Sequence, residues 1–278
     1  MTVHPTSTVT VRGRKLAYHH RAGDPGRVPL VLCNGIGASM EMFDPFVAAL
    51  DPGRPVLRFD VPGIGGSAKA RLPYLYQNLA LAIRALLKRL GYARADVLGI
   101  SWGGGLAQQF AFQYPRVCRR MVLVATGTGM WMVPARPRVL GRMLSPRRHR
   151  DPEYARSIAG DIYGGSARAD PASAVSALHH SMRATPVQGY VYQLAAIGCW
   201  TSLPWLPLIR QPALILAGDD DPIIPGVNAT IMSRLLPRAT LHRYRGGHLA
   251  LLTESHELAP IIDRFLDQDL PGDGGHRK

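Results

Sequence analysis

The chain has 278 residues, 46% hydrophobic and 19% charged. That supplies enough apolar material for a full core and excludes general disorder and collagen-like repeats. No run approaches the ~18 consecutive apolar residues of a membrane helix, and Met1 to Val11 lack the basic, apolar and small-residue order of a secretory signal. Thirty-three Lys and Arg against 19 Asp and Glu give a net charge of +14, yet no helix-turn-helix, zinc-finger or aromatic–basic RNA pattern accompanies the basic residues, so no nucleic-acid partner is expected.

Short apolar runs alternate with helical patterns, which predicts a mostly parallel sheet wrapped by helices. Thr8–Arg12 and Lys15–Arg21 read as an opening pair of strands around Gly13, and Pro29–Cys33 as a buried strand. Asn34-Gly35-Ile36-Gly37-Ala38-Ser39 follows, then a helix through Phe46 and Leu50 and a strand at Pro55–Phe59. Leu79, Ile83, Leu86, Leu87 and Leu90 mark one helical face, closed by Gly91. Ala95–Ile100 reads as a strand, Leu106–Tyr114 as a helix stopped by Pro115, and Met121–Ala125 as another strand.

Regularity breaks after Gly127. Residues 129–207 lack strand runs and carry helical pieces split by prolines and by Gly164-Gly165. Strand and helix alternate again at Pro212–Ala217, Thr230–Leu236, Thr240–Tyr244 and Ser255–Leu266. The expected organisation is an eight-stranded α/β core over residues 1–128 and 208–270, a helical insertion at 129–207 after the sixth strand, and a disordered tail at 271–278. Cys33, Cys118 and Cys199 are odd in number and far apart. They suit neither a disulfide framework nor a zinc site and predict reduced thiols in a cytoplasmic protein.

Gly99-Ile100-Ser101-Trp102-Gly103 fits G-x-S-x-G at the point where a buried strand turns into a helix. A nucleophile elbow needs that placement, because a tight turn lifts the serine hydroxyl above the sheet. Close helix packing would explain the helix-breaking run Gly103-Gly104-Gly105. A serine hydroxyl needs a base, and the base a carboxylate to orient it, in the chain order Ser, acid, His. Gly246-Gly247-His248 follows the last strand, so His248 is the candidate base among ten histidines. The acid lies in Gly218-Asp219-Asp220-Asp221-Pro222. Asp221, at the loop tip, is the first choice and Asp220 the alternative, with the others expected to cap the following turn. The backbone N–H groups of Trp102 and Ile36 are the candidate oxyanion donors, and Asn34 is a candidate for holding the second of these loops.

Three adjacent aspartates point in divergent directions and lack the ligand spacing of a calcium loop, so no metal is expected. The pairs His19-His20 and His179-His180 read as structural or solvent-facing. No phosphate-binding loop occurs, and Gly63-Ile64-Gly65-Gly66 does not meet G-x-G-x-x-G, so no nucleotide cofactor is indicated. Arg136, Arg138, Arg142, Arg147, Arg148 and Arg150 interleave with Trp131, Met132, Val139, Leu140, Met143 and Leu144. This cluster reads either as a solvated face or as a surface suited to an acidic or lipid-coated partner.

Taken together these strings resemble the α/β-hydrolases, and more specifically the intracellular poly(3-hydroxyalkanoate) depolymerases acting on medium-chain-length polyesters. The resemblance runs through Asn34–Ser39, Phe59–Ser67, Ile100–Gly104, Ala107–Phe110, Val133-Pro134, Ser145–Arg148, Ile162–Gly165, Leu216–Pro222, Gly247–Leu249 and Ala259–Ile262. It implies hydrolysis of 3-hydroxyacyl esters by Ser101, Asp221 and His248 without a cofactor, and association with polyester granules. It also implies a lid at 129–207 with Trp131, Met132, Trp200 and Trp205 as candidates for substrate contact, although core packing explains those residues equally well. The general carboxylesterases, lipases and carbon–carbon-bond hydrolases share the scaffold, and a surface-binding protein with an intact triad is the non-enzymatic alternative.

Overall fold

Valine- and leucine-rich runs of four to eight residues become strands here because both faces of each central strand are covered by helices. A computed structural model of the chain describes residues 6–11, 13–144, 151–182 and 186–268. The strands are β1 (Ser7–Val11), β2 (Arg14–Arg21), β3 (Leu30–Cys33), β4 (Val56–Phe59), β5 (Ala95–Ile100), β6 (Cys118–Val124), β7 (Ala213–Gly218) and β8 (Ala239–Tyr244). They form one sheet in the order β1-β2-β4-β3-β5-β6-β7-β8. β2 pairs antiparallel with β1 and β4, and every later pairing is parallel. Every residue of β3, β4, β5 and β7 is buried, which is why β3 and β7 read as continuous apolar runs, while β4 and β5 each bury one charged residue, Arg58 and Asp96.

The flanking helices are α1 (Asp44–Ala49), α2 (Tyr76–Arg89) and α3 (Trp102–Gln113), with α9 (Val227–Leu235), α10 (Ala250–Thr253) and α11 (Ser255–Asp267) after the return to the sheet. α2 buries Leu79, Ile83, Leu86 and Leu87 on one face, as their spacing requires. It ends on Gly91 at φ +80°, with Tyr92 N–H donating to the Leu87 carbonyl. α3 begins at Trp102 rather than at Leu106. The glycine run lowers intrinsic helix propensity, but packing against β3 and β6 overrides it, as the site geometry below makes clear.

Between β6 and β7 the chain forms α4 (Pro137–Leu144), α5 (Pro152–Tyr163), α6 (Ser166–Ala169), α7 (Pro171–Met182) and α8 (Val187–Gly198), then a 3-10 turn at Leu203–Leu208. A single antiparallel bridge, Gly129 to Thr201, closes the neck of this segment. α4, α5, α6 and α7 share a small core of their own, including Val139, Ile158, Ala159, Ile162 and Val175. That core also takes in Ile223 and Leu249, which belong to the loops after β7 and β8. Arg147, Arg148, Arg150 and the tail 271–278 lie outside the described residues, as do the side chains of His179 and His180 in α7. Among the described residues no helix is long and apolar enough to cross a membrane.

Candidate active site

Ser101 sits between the end of β5 and the start of α3 at φ +53°, ψ −118°, a region that costs a non-glycine residue on the order of 1–3 kcal/mol. Its backbone is held from both sides. Ser101 N–H donates to the Val124 carbonyl at 2.9 Å, and its own carbonyl accepts from Gly104 N–H at 3.0 Å and from the Thr126 hydroxyl at 2.6 Å. The glycines of the motif follow from steric necessity. A Cβ at Gly99 would lie 2.1 Å from the Gly103 carbonyl oxygen, one at Gly103 2.1 Å from that of Cys33, and one at Gly104 2.3 Å from Thr126 Oγ1. The helix can start directly beneath the serine only because these side chains are missing.

The imidazole and the carboxylate come together from the loops after β8 and β7. His248 Nδ1 lies 2.9 Å from Asp221 Oδ2, with only 7% and 2% of the two side chains exposed. Because an ionised carboxylate only accepts, Nδ1 carries the proton of this bond and Nε2 is left as the basic nitrogen. The other Asp221 oxygen accepts from Ile223 N–H at 2.9 Å and Ile224 N–H at 3.0 Å, so its orientation is locked.

The three aspartates divide their work differently from the expectation. Asp221 itself caps the following turn. Asp219 accepts from Gly246 N–H at 3.0 Å. Asp220 takes a bidentate pair from Arg168 at 2.6 and 2.7 Å together with Gly165 N–H at 2.7 Å. That pairing holds the Asp220 carboxyl below its ordinary range, with the Arg168 hydrogen bond as the main cause.

Two glycine pairs let three loops pass through this crowded spot. A Cβ on Gly164 would fall 1.8 Å from the Asp220 carbonyl oxygen, one on Gly165 2.1 Å from Gly247 N, and one on Gly247 2.1 Å from the Tyr163 carbonyl oxygen. In that close approach His248 N–H donates to the Tyr163 carbonyl at 2.7 Å. In the sequence Gly164-Gly165 reads as a helix break. In the structure it is the passage through which the helical segment is clamped between the acid and histidine loops.

The loop after β3 faces Ser101, since a Cβ on Gly35 would lie 4.0 Å from the serine Cβ. Asn34 steadies the loop by donating to the Ala38 carbonyl at 3.1 Å. Gly37 adopts φ +73°, and its N–H is taken by Gln193 Oε1 at 2.8 Å, while Gly35 N–H faces Met42 Sδ at 3.4 Å. Among the described residues no group accepts from the N–H of Ile36 or of Trp102, which are the two candidate oxyanion donors. Buried Asp60 supports the same loop from below, accepting from Met40 N–H at 2.7 Å, Gly66 N–H at 2.8 Å and Asn34 Nδ2 at 3.4 Å. Burial pushes its carboxyl up to about 7, against the pull of those donors.

Ser101, His248 and Ile36 line one cavity of about 50 Å³, roofed by Met143, Tyr163, Leu178 and Ile223. No hydrogen bond joins the Ser101 hydroxyl to His248 here; such contacts commonly tighten only with substrate bound. A larger cleft of about 420 Å³ has the acid loop in its wall, lined by Arg136, Arg138, Arg142 and Arg168 with Asp161 and Asp219 to Asp221. Size therefore does not mark the site, whereas the convergent polar groups do. Among the described residues no group of three or more His, Cys, Asp or Glu side chains could hold a metal ion.

The four aromatic and methionine candidates of the helical segment are not in the lining of the Ser101 cavity. Trp200 is buried, donates to Gln109 Oε1 at 2.8 Å and packs on Tyr76 at 4.8 Å. Trp205 stacks on Phe112 at 4.5 Å. Met132 packs beside Gly127, and Trp131 is 58% exposed. The roof residues Met143, Leu178 and Ile223 carry no sequence signal beyond being apolar. His20, from the pairs set aside on sequence, contacts the Tyr92 hydroxyl at 2.9 Å.

Residues 28–255 match the family described as alpha/beta hydrolase fold. The chain belongs to that family. A poly(3-hydroxyalkanoate) depolymerase from Ectopseudomonas oleovorans is 46% identical over 263 residues, spanning 94% of this chain and 92% of that protein. Similar solved structures include the enol-lactonase from Burkholderia xenovorans LB400, with TM-score 0.80 and 23% identity over 94% of this chain and all of that one. A hydrolase from Pseudomonas aeruginosa PA01 also gives 0.80, at 25% identity over 96% of this chain and 100% of its own. The enol-lactonase likeness speaks to the fold, and the depolymerase likeness reaches across both the sheet and the helical segment.

Proposed function

We propose that this protein hydrolyses the ester bonds of stored poly(3-hydroxyalkanoate), with Ser101 as nucleophile, His248 as general base and Asp221 as its orienting acid. The observation that carries this reading is that His248, bonded to Asp221 at 2.9 Å, lines one cavity with a serine held at a positive φ. The 46% identity to a depolymerase supports the substrate class.

In the first step Ser101 Oγ attacks the ester carbonyl while its proton passes to His248 Nε2. The carbonyl electron pair moves to oxygen, where the N–H groups of Ile36 and Trp102 receive it. Collapse expels the 3-hydroxy oxygen of the next unit, which takes the proton from Nε2 and leaves an acyl-serine. Water then repeats the sequence, its proton going to Nε2 and back to Ser101 Oγ, and a 3-hydroxy acid or oligomer departs. No metal or cofactor is required for these steps.

A cavity of about 50 Å³ holds a water molecule or two and no acyl chain. Residues 129–207 thus act as a lid whose α4, α5 and α7 side chains must shift to admit polymer. Met130, Trp131 and Val133 are exposed beside Arg136 and Arg138, a combination suited to the surface of a lipid-coated polyester granule. On this reading Trp131 meets that surface rather than the chain in the cavity.

The test incubates the full chain with medium-chain-length polyester granules and with short soluble p-nitrophenyl esters, using Ser101→Ala as control. Release of 3-hydroxy acids or their oligomers, lost about 10⁶-fold in Ser101→Ala, is the expected result. Turnover of soluble esters without any release from granules would make the protein a general carboxylesterase. Hydrolysis surviving in Ser101→Ala would remove the proposed nucleophile. Granule co-sedimentation in the same assay should weaken from low to high salt.

A further inference from the structure

We propose that Gln193, on helix α8 of the helical segment, is a positioning residue that sets the oxyanion donors by gripping both of their loops. This inference rests on the hydrolase reading above. Gln193 is fully buried. Its side-chain Oε1 accepts from Gly37 N–H at 2.8 Å, one residue beyond Ile36, and its main-chain carbonyl accepts from the Trp102 indole N–H at 2.8 Å. A single residue of the segment therefore touches the flank of each candidate donor, on loops that leave the sheet after different strands.

The surrounding contacts make the grip directional. The Trp102 carbonyl accepts from the Tyr76 hydroxyl at 2.8 Å, and the Trp102 and Tyr76 rings lie 4.7 Å apart. With its indole and carbonyl both engaged, Trp102 is held from two sides at the helix start beside Ser101. α8 is seated closely, since a Cβ on its Gly189 would lie 2.3 Å from the Gly63 carbonyl oxygen. The loop carrying Ile36 has a glycine on each side and little intrinsic stiffness, so the Gly37–Gln193 bond bears on where Ile36 N–H points.

Stability alone does not account for this side chain. Among the described residues the buried Nε2 has no hydrogen-bond partner. The amide thus gains one bond while leaving a desolvated donor unmatched, which roughly cancels. A methionine of similar shape would fill the volume without that cost, so what the glutamine adds is an acceptor at a fixed place. Donors aimed at the oxyanion act mainly in the transition state, so loosening them should lower kcat and leave KM nearly unchanged.

The experiment compares wild type, Gln193→Met and Trp102→Phe in hydrolysis of p-nitrophenyl octanoate and in the rate at which an alkyl phosphonate probe labels Ser101. For Gln193→Met the expected result is a kcat lower by roughly 10- to 100-fold, part of the 10²–10³ that a lost oxyanion donor costs. KM should stay within about threefold, with labelling slowed in proportion to kcat. Trp102→Phe, which cuts only the second link, should fall in the same direction by less than about tenfold and keeps the question open to test if Gln193→Met does not fold. Wild-type labelling with both variants at full kcat would overturn the positioning role and leave the hydrolase reading standing. A kcat that drops only in step with the folded fraction, followed by thermal unfolding, would overturn it as well. A wild type that neither labels nor turns over ester would overturn both.

Discussion

The two halves of the candidate site are built by different means. On the sheet side, backbone meets backbone: Gly99 and Gly103 beneath Ser101 are positions where an added Cβ would fall 2.1 Å from a neighbouring carbonyl oxygen. On the helical side, apolar side chains such as Met143 and Leu178 roof the cavity, and Gln193 reaches across with one side-chain bond and one main-chain bond. Backbone contact tolerates almost no displacement, whereas side-chain packing can shift by rotamer. On the proposed reading, the contrast fits a fixed nucleophile and base beneath roof side chains that can shift while the helical segment itself stays anchored by backbone at Gly164-Gly165.

The sharpest way to break the sheet-side half is chemical. Asp221→Asn keeps the loop shape but offers an amide to His248 Nδ1, which favours the wrong tautomer. Turnover should fall by about 10⁴-fold, with the unfolding midpoint little changed, and steady-state kinetics alongside thermal unfolding would check both. A loss under tenfold would return the orienting role to another carboxylate, with Asp220 the next candidate despite its engagement with Arg168.

The steric claim is tested by two alanines. Gly164→Ala places a Cβ 1.8 Å from the Asp220 carbonyl oxygen at φ +61°. It should destabilise the protein by about 3 kcal/mol or more through overpacking and strain. Gly141→Ala, inside α4 with nothing within 4 Å of the new methyl, should instead stabilise by about 0.5–1 kcal/mol. Urea midpoints of the two variants should move in opposite directions, and a shift of both in the same direction would undo the distinction between the clamp and the exposed helix.

The smallest effect concerns Asp60, which supports the candidate oxyanion loop through Met40 N–H and Asn34. Burial raises its carboxyl to about 7, while an unfolded chain titrates it near ~4. Between those values the folded chain keeps a proton that the unfolded chain has released. The stability this group contributes is therefore present below about pH 4 and is lost as pH rises through 7. Denaturation of wild type and Asp60→Asn at pH 5 and pH 8 should show the wild type losing ground relative to the variant. Parallel pH dependence would contradict that assignment.

Much of this architecture is legible in the linear chain, because periodicity and chain order are local properties. Apolar runs separated by helical faces give the sheet. A G-x-S-x-G string at a strand-to-helix junction gives Ser101, and loops after the last strands give Asp221 and His248. The serine and the histidine meet in one cavity because parallel strands present their following loops at the same edge.

The sequence by itself determined the order of the elements and the chemical types available at that edge. It made Asp221 the first choice and Asp220 the alternative, and loop geometry rather than composition turns Asp219 to Gly246, Asp220 to Arg168 and Asp221 to His248. It did not single out Gln193, or separate the tryptophans that pack away from the site from the methionine and leucine that roof it. Those assignments depend on contacts between residues tens of positions apart, and only the folded chain brings such residues into van der Waals range.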